Sequence, residues 1–234
     1  MKLAILMAST MCLIFCAGAD QASKVLFIGN SLTYRQSGIY SHFEKLASSA
    51  KPARPVQIGK AVKGGATLKT LWDMPEAREA ITNGLFDVVV LQEDLPEINI
   101  SYFREYARKF VAEIRQSKAR PILLMAWPYP RLGWITTEEI ANAHRDLARE
   151  LGVEVAPVGL AWQRSLKARP ELDLYVADRE HPSLAGTYLA ACVVYATLFG
   201  ESPVNLGYVP AGLNAQDAAH LQRMAWETVQ EWKH

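Results

Sequence analysis

The sequence predicts an α/β protein built on a single parallel sheet with helices on both faces. Three observations carry that expectation. Short apolar runs of strand length alternate along the chain with longer amphipathic stretches. The runs are continuous in hydrophobicity, which marks strands buried on both sides. No internal repeat or linker-like stretch interrupts the series, so a chain of 234 residues, 50% of them hydrophobic, suits one domain with a full core.

The elements follow in order. Residues 24–28 form an apolar run that ends at Gly29-Asn30 and reads as a buried strand. Helical spacing over 37–49 places Ile39, Phe43, Leu46 and Ala47 on one side. Residues 56–62 read as a second strand, broken by Gly64-Gly65, and Pro75 can start a helix through Ile81. The clearest strand is 86–91, with Val88-Val89-Val90 at its centre, followed by a charged amphipathic helix over 102–116. A further strand over 121–127 is ended by Pro128 and Pro130, and Thr136 or Thr137 can cap a helix to about Leu151. A short strand at 153–155 precedes a helix around 160–168. An apolar helix follows Ser183 to Phe199, and the final helix covers 215–232.

The amino terminus differs from the rest. Met1-Lys2 is a positive start, residues 3–18 are apolar apart from Ser9 and Thr10, and Ala17-Gly18-Ala19 is a small-x-small site. Residues 1–19 therefore read as a secretory signal peptide, residues 20–234 as the single domain, and the location as exported, periplasmic or secreted. The apolar run is shorter than the ~20 residues of a membrane span, and Phe15 is a poor neighbour for lipid attachment at Cys16. Cleavage would leave Cys192 alone, without an internal disulfide, in an apolar run that points to core packing. Lys plus Arg number 25 against 24 Asp plus Glu, which gives no basic footprint for nucleic acid. No thiolate cluster, HExxH, P-loop or GxGxxG pattern is present, so neither a metal nor another cofactor is expected.

In open α/β sheets ligands sit beyond the carboxyl ends of the strands. Ser31, Gly64-Gly65, Gln92-Glu93-Asp94 and Trp127-Pro128-Tyr129 each follow an expected strand, so they are expected to converge on one edge. Ser31 is either a nucleophile on a tight turn or a helix-capping serine. The five histidines separate the two readings. His42, His144 and His220 lie in helical patterns and His234 is terminal, whereas His181 lies in the loop Asp178-Arg179-Glu180-His181-Pro182. Asp178, three residues upstream, can reach Nδ1 in a turn, fix the tautomer and leave Nε2 for the serine. Glu93 and Asp94 invite comparison with a glycosidase carboxylate pair, but neighbours at a strand end point in different directions.

Gly29-Asn30-Ser31-Leu32-Thr33 resembles the first block of the SGNH (GDSL-type) hydrolases. Asp178 to Ser183, with Gly186 and Leu189 after it, resembles their last. The resemblance covers residues 24–200 and implies a flavodoxin-like three-layer α/β/α fold with metal-free ester hydrolysis through an acyl-enzyme. It implies Ser31 as nucleophile, His181 as base and Asp178 as its orienting partner. It also implies an oxyanion hole made of the Ser31 amide, a second-block glycine amide and a third-block Asn side chain. Gly65, in Gly64-Gly65-Ala66-Thr67, fits the second block, with Gly64 the alternative glycine. The third block departs: Gln92 stands where Asn is usual and is the candidate donor, with Asn30 a second candidate. Asn30, Trp127, Tyr129 and Arg131 are the candidate substrate contacts, with Trp72 and Trp134 in or near loops on the same edge. The aromatics there either stack on a sugar, line an acyl pocket, or pack the loops onto the sheet. The expected substrate is a small-molecule or carbohydrate ester, and an O-acetylated carbohydrate ranks first. A lipase- or thioesterase-type specificity on the same triad, or an inactive sugar-binding relative, are the alternatives.

Overall fold

The computed structural model describes residues 23–233. The expected leader lies outside the described residues. Five strands, β1 (Ser23–Gly29), β2 (Val56–Val62), β3 (Val88–Gln92), β4 (Arg120–Leu124) and β5 (Glu154–Ala156), pair in parallel in the order β2-β1-β3-β4-β5. The helices are α1 (Ser31–Tyr34), α2 (Ile39–Ser49), α3 (Leu68–Asp73), α4 (Pro75–Asn83), α5 (Ile100–Gln116), α6 (Thr137–Leu151), α7 (Val158–Ala168), α8 (Leu184–Phe199) and α9 (Ala215–Trp232). Among the described residues no helix is long and apolar enough to cross a membrane.

Continuous hydrophobicity in the strands feeds two separate cores. Val25 and Phe27 of β1, Val88 and Val90 of β3, and Ile122 and Leu124 of β4 pack on the side of α2, α7, α8 and α9. The intervening residues Leu26, Ile28, Val89, Leu91 and Leu123 pack on the side of α3 to α6. The period of two sends alternate side chains to opposite faces, and both faces are covered. Every residue of α8 from 185 to 198 is buried, because α2, α7 and α9 surround it. Cys192 is fully buried there, and burial pushes its thiol well above the ordinary range.

Hydrogen-bond geometry shifts several expected boundaries. β4 stops at Leu124. Met125 still donates to the Ala156 carbonyl (3.0 Å), but its own carbonyl accepts from Gly159 at the start of α7 (3.0 Å), and the chain then leaves the sheet. β5 begins at Glu154 because the Val153 amide closes α6 on the Ala148 carbonyl (3.1 Å), past the left-handed Gly152. α6 starts with a reciprocal capping box between Thr136 and Glu139. The short helices α1 and α3 carry too few residues for a periodic signal, and both prove to frame the site.

Candidate active site

The strand order reverses between β1 and β3, which opens a crevice beyond their carboxyl ends. A cleft of about 420 Å³ lies there, lined by Ser31 after β1, Gly64 and Gly65 after β2, Asp94 after β3, Arg131 after β4 and His181 from the α7–α8 loop. A larger surface groove of about 940 Å³ between α7 and α9 holds none of these residues, and its Arg164 is already paired with Glu227 and Glu231.

Ser31 is the first residue of α1, and the cap is Asn30, whose side-chain oxygen accepts the Leu32 amide (3.0 Å). This corrects the capping alternative for Ser31 and frees its hydroxyl. Ser31 Oγ lies 2.8 Å from His181 Nε2, and His181 Nδ1 lies 2.8 Å from Asp178 Oδ2. The other Asp178 oxygen accepts the amides of Glu180 and His181, each at 2.9 Å. Partial burial acts to raise the Asp178 carboxyl, but these amides and the imidazole outweigh it and hold it at about 2. The turn forces Arg179 into the left-handed region (φ 59°), and the Arg179 guanidinium is anchored to Asp173 (2.7 Å). Trp127 stacks on Trp162 with ring centroids 3.9 Å apart and donates its indole N–H to the Glu180 carbonyl (2.9 Å). The histidine loop is thus braced from beneath.

Gly65 adopts φ +63° in the β2–α3 loop, a conformation that glycine takes without strain. Among the described residues no hydrogen bond occupies the amides of Ser31 or Gly65. Both residues line the cleft. The loop is held by Glu93, a buried carboxylate that accepts the Leu68 amide at the start of α3 (3.0 and 3.1 Å) and the Asp94 amide (2.8 Å). Burial pushes the Glu93 carboxyl up to about 7 despite those amides.

Four expected site residues sit elsewhere than expected. Gln92 is only 1% exposed and lies beneath the serine turn. Its Oε1 accepts the Asn30 amide (2.9 Å) and the Thr33 hydroxyl (3.0 Å), while Nε2 is buried with no partner among the described residues, so the amide does not face the open cleft. A Cβ on Gly29 would lie 2.6 Å from Gln92 Oε1 and 2.5 Å from Thr33 Oγ1, so the glycine permits this packing. Asn30 is buried, and its Nδ2 donates to Asp94 (3.0 Å). Trp127 and Tyr129 are buried as well and do not offer a substrate-facing ring. The Tyr129 hydroxyl donates to Asp94 (2.6 Å), and burial keeps that hydroxyl protonated. Asp94 therefore ties the ends of β1 and β4 together, and burial lifts its carboxyl to about 6. Arg131 does line the cleft, bridging Glu97 and Glu180. The sequence does not single out Glu97, and it places Glu93 and Glu180 at the active edge without a positioning role, because all three lie in loops and short turns with no periodicity. Their place just past strand ends or beside His181 was the available signal.

No protein-family profile matches the chain, and no curated protein matches it in sequence. Solved structures do. A candidate SGNH hydrolase from Slackia heliotrinireducens is 25% identical and superimposes with a TM-score of 0.63, over 76% of this chain and 100% of its own. The chain belongs to the SGNH hydrolase superfamily. Two further solved structures are alike in fold alone. A DUF4886 family protein from Bacteroides uniformis is 18% identical, with a TM-score of 0.69 over 90% of this chain and 95% of its own. An acetyl-xylooligosaccharide esterase from Geobacillus, a variant of Axe2, is 20% identical, with a TM-score of 0.59 over 82% of this chain and 98% of its own.

Proposed function

We propose that this SGNH protein hydrolyses carboxylic esters through an acyl-enzyme, and that its substrate is an O-acetylated carbohydrate. The carrying observation is the unbroken chain of hydrogen bonds from Ser31 Oγ through His181 to Asp178 on the wall of an open cleft. Ser31 Oγ attacks the ester carbonyl as His181 Nε2 takes its proton. The tetrahedral oxyanion accepts from the Ser31 and Gly65 amides. His181 then protonates the leaving alcohol, and a water activated by the same imidazole releases the acid. Gln92 acts from below: by holding the Asn30 amide and the Thr33 hydroxyl it fixes the turn that presents Ser31. The acid–base pair Glu97–Arg131 and the carboxyl of Asp94 make the cleft polar, which favours a hydroxylated alcohol and a short acyl group. The leader-like first segment supports export to the periplasm or medium.

Fluorophosphonate labelling tests the nucleophile. Wild type is expected to label and to hydrolyse acetyl esters, and Ser31→Ala to do neither while remaining folded by circular dichroism. Labelling that survives in Ser31→Ala, or wild type that neither labels nor turns over any ester, overturns the assignment.

A further inference from the structure

We infer that the exposed ring of Trp134 forms an outer subsite for a second sugar ring on the alcohol side of the ester. The inference rests on the carbohydrate-esterase reading and deepens it. Trp134 is 56% exposed, unlike Trp127 and Tyr129, which are 0% and 1% exposed. It lies in a shallow apolar hollow of about 300 Å³ with Ile98, Ile100 and Ile135. Ile98 lines this hollow and the catalytic cleft alike, so the two are adjacent. Two chain segments run from one to the other: Glu97 and Arg131 are at the cleft, and Ile100 and Trp134, three residues further along each segment, are at the hollow.

The chemistry beside the hollow selects the occupant. On the cleft side of Ile98 lie Glu97 and Arg131, which are ion-paired with each other. A hydrocarbon chain laid there would shield charged groups from water and offer no hydrogen bond in return. A sugar ring meets those groups with hydroxyls, and the next ring sets its apolar C–H face on the indole. The acyl group, by contrast, needs no such reach. The hollow thus belongs to the leaving-alcohol side, and the substrate class is an acetylated oligosaccharide of at least two rings.

The test compares kcat/KM on O-acetylated xylotriose with kcat/KM on 4-nitrophenyl acetate, which is too short to span both sites. In Trp134→Ala the ratio of the two is expected to fall about tenfold, the upper end of what one aromatic face contributes, with the loss in KM for the oligosaccharide. Trp134→Phe is expected to restore most of it. An unchanged ratio in Trp134→Ala overturns the subsite, as does an equal loss on both substrates, which would mark a structural role. Wild type that cleaves 4-nitrophenyl acetate but not the acetylated glycan overturns the subsite and leaves the esterase standing. Wild type inert to both overturns the esterase reading itself.

Discussion

Asp178→Asn is expected to lower kcat on a small acetyl ester by about 10⁴-fold, with KM little changed and the circular dichroism spectrum of the wild type. The argument lies in which atom carries the imidazole proton. Asp178 Oδ2 stands 2.8 Å from His181 Nδ1 and accepts a hydrogen bond from its N–H, leaving Nε2 free to take the proton of Ser31 Oγ at 2.8 Å. Oδ1 remains an acceptor in the variant, because the amides of Glu180 and His181 both point at it. The new amide NH₂ must then face Nδ1, and two donors cannot share a hydrogen bond. The favoured tautomer becomes the one protonated on Nε2, which cannot act as base toward Ser31. The turn survives, so the loss is chemical and not structural. Since the native carboxyl is held at about 2, it is ionised from about pH 3 upward, and any acid limb of kcat/KM above that belongs to another group. A variant within tenfold of wild type would show that Asp178 does not orient the base.

Much of this was legible in the sequence, and the reason is geometric. Strands buried on both faces must be continuously apolar, so β1, β3 and β4 announce themselves, and their carboxyl ends locate the cleft. His181 could be singled out because it alone of the expected candidates lay in a loop beside a carboxylate at turn spacing. Orientation was not legible. Gln92 follows β3, where an oxyanion donor was expected, yet nothing in the string shows that its side chain turns back under Gly29. Trp127 and Tyr129 likewise follow a strand, but whether a ring faces solvent or core depends on how the loop folds. That loop is fixed by distant partners, Glu180 for Trp127 and Asp94 for Tyr129.

The same distant partners show how the site is assembled. The serine turn, the glycine loop and the histidine loop come from separate parts of the chain, and each is tied down by side chains outside the triad. Asp94 joins Asn30 to Tyr129 across the strand ends, Trp127 carries the histidine loop, and Arg131 links that loop to the turn after β3. Pre-organisation of this kind keeps donors and nucleophile in register without reorganisation during the reaction.

Glu93 is the clearest case, and its substitution is expected to change both stability and turnover. The carboxyl is buried and lifted from 4.5 to about 7, because loss of hydration outweighs the amides of Leu68 and Asp94. A folded-state value above the unfolded one means that this group's favourable contribution is full below about pH 4.5 and is lost as pH rises through about 7. The size is roughly 3 kcal/mol from the shift itself. In Glu93→Gln the side chain cannot ionise, so the difference in unfolding free energy between pH 4.5 and pH 8 should shrink by about that amount. Urea titrations at the two pH values measure it, and an unchanged difference would show that Glu93 does not bear the proton. Glu93→Ala acts differently. It leaves the Leu68 and Asp94 amides without an acceptor, at about 1–3 kcal/mol each if they stay buried. It also releases the loop that carries Gly65, and a displaced oxyanion donor can cost ~10²-fold in kcat. Retention of full kcat in a folded Glu93→Ala protein would mean that the Gly65 loop holds its place by packing alone.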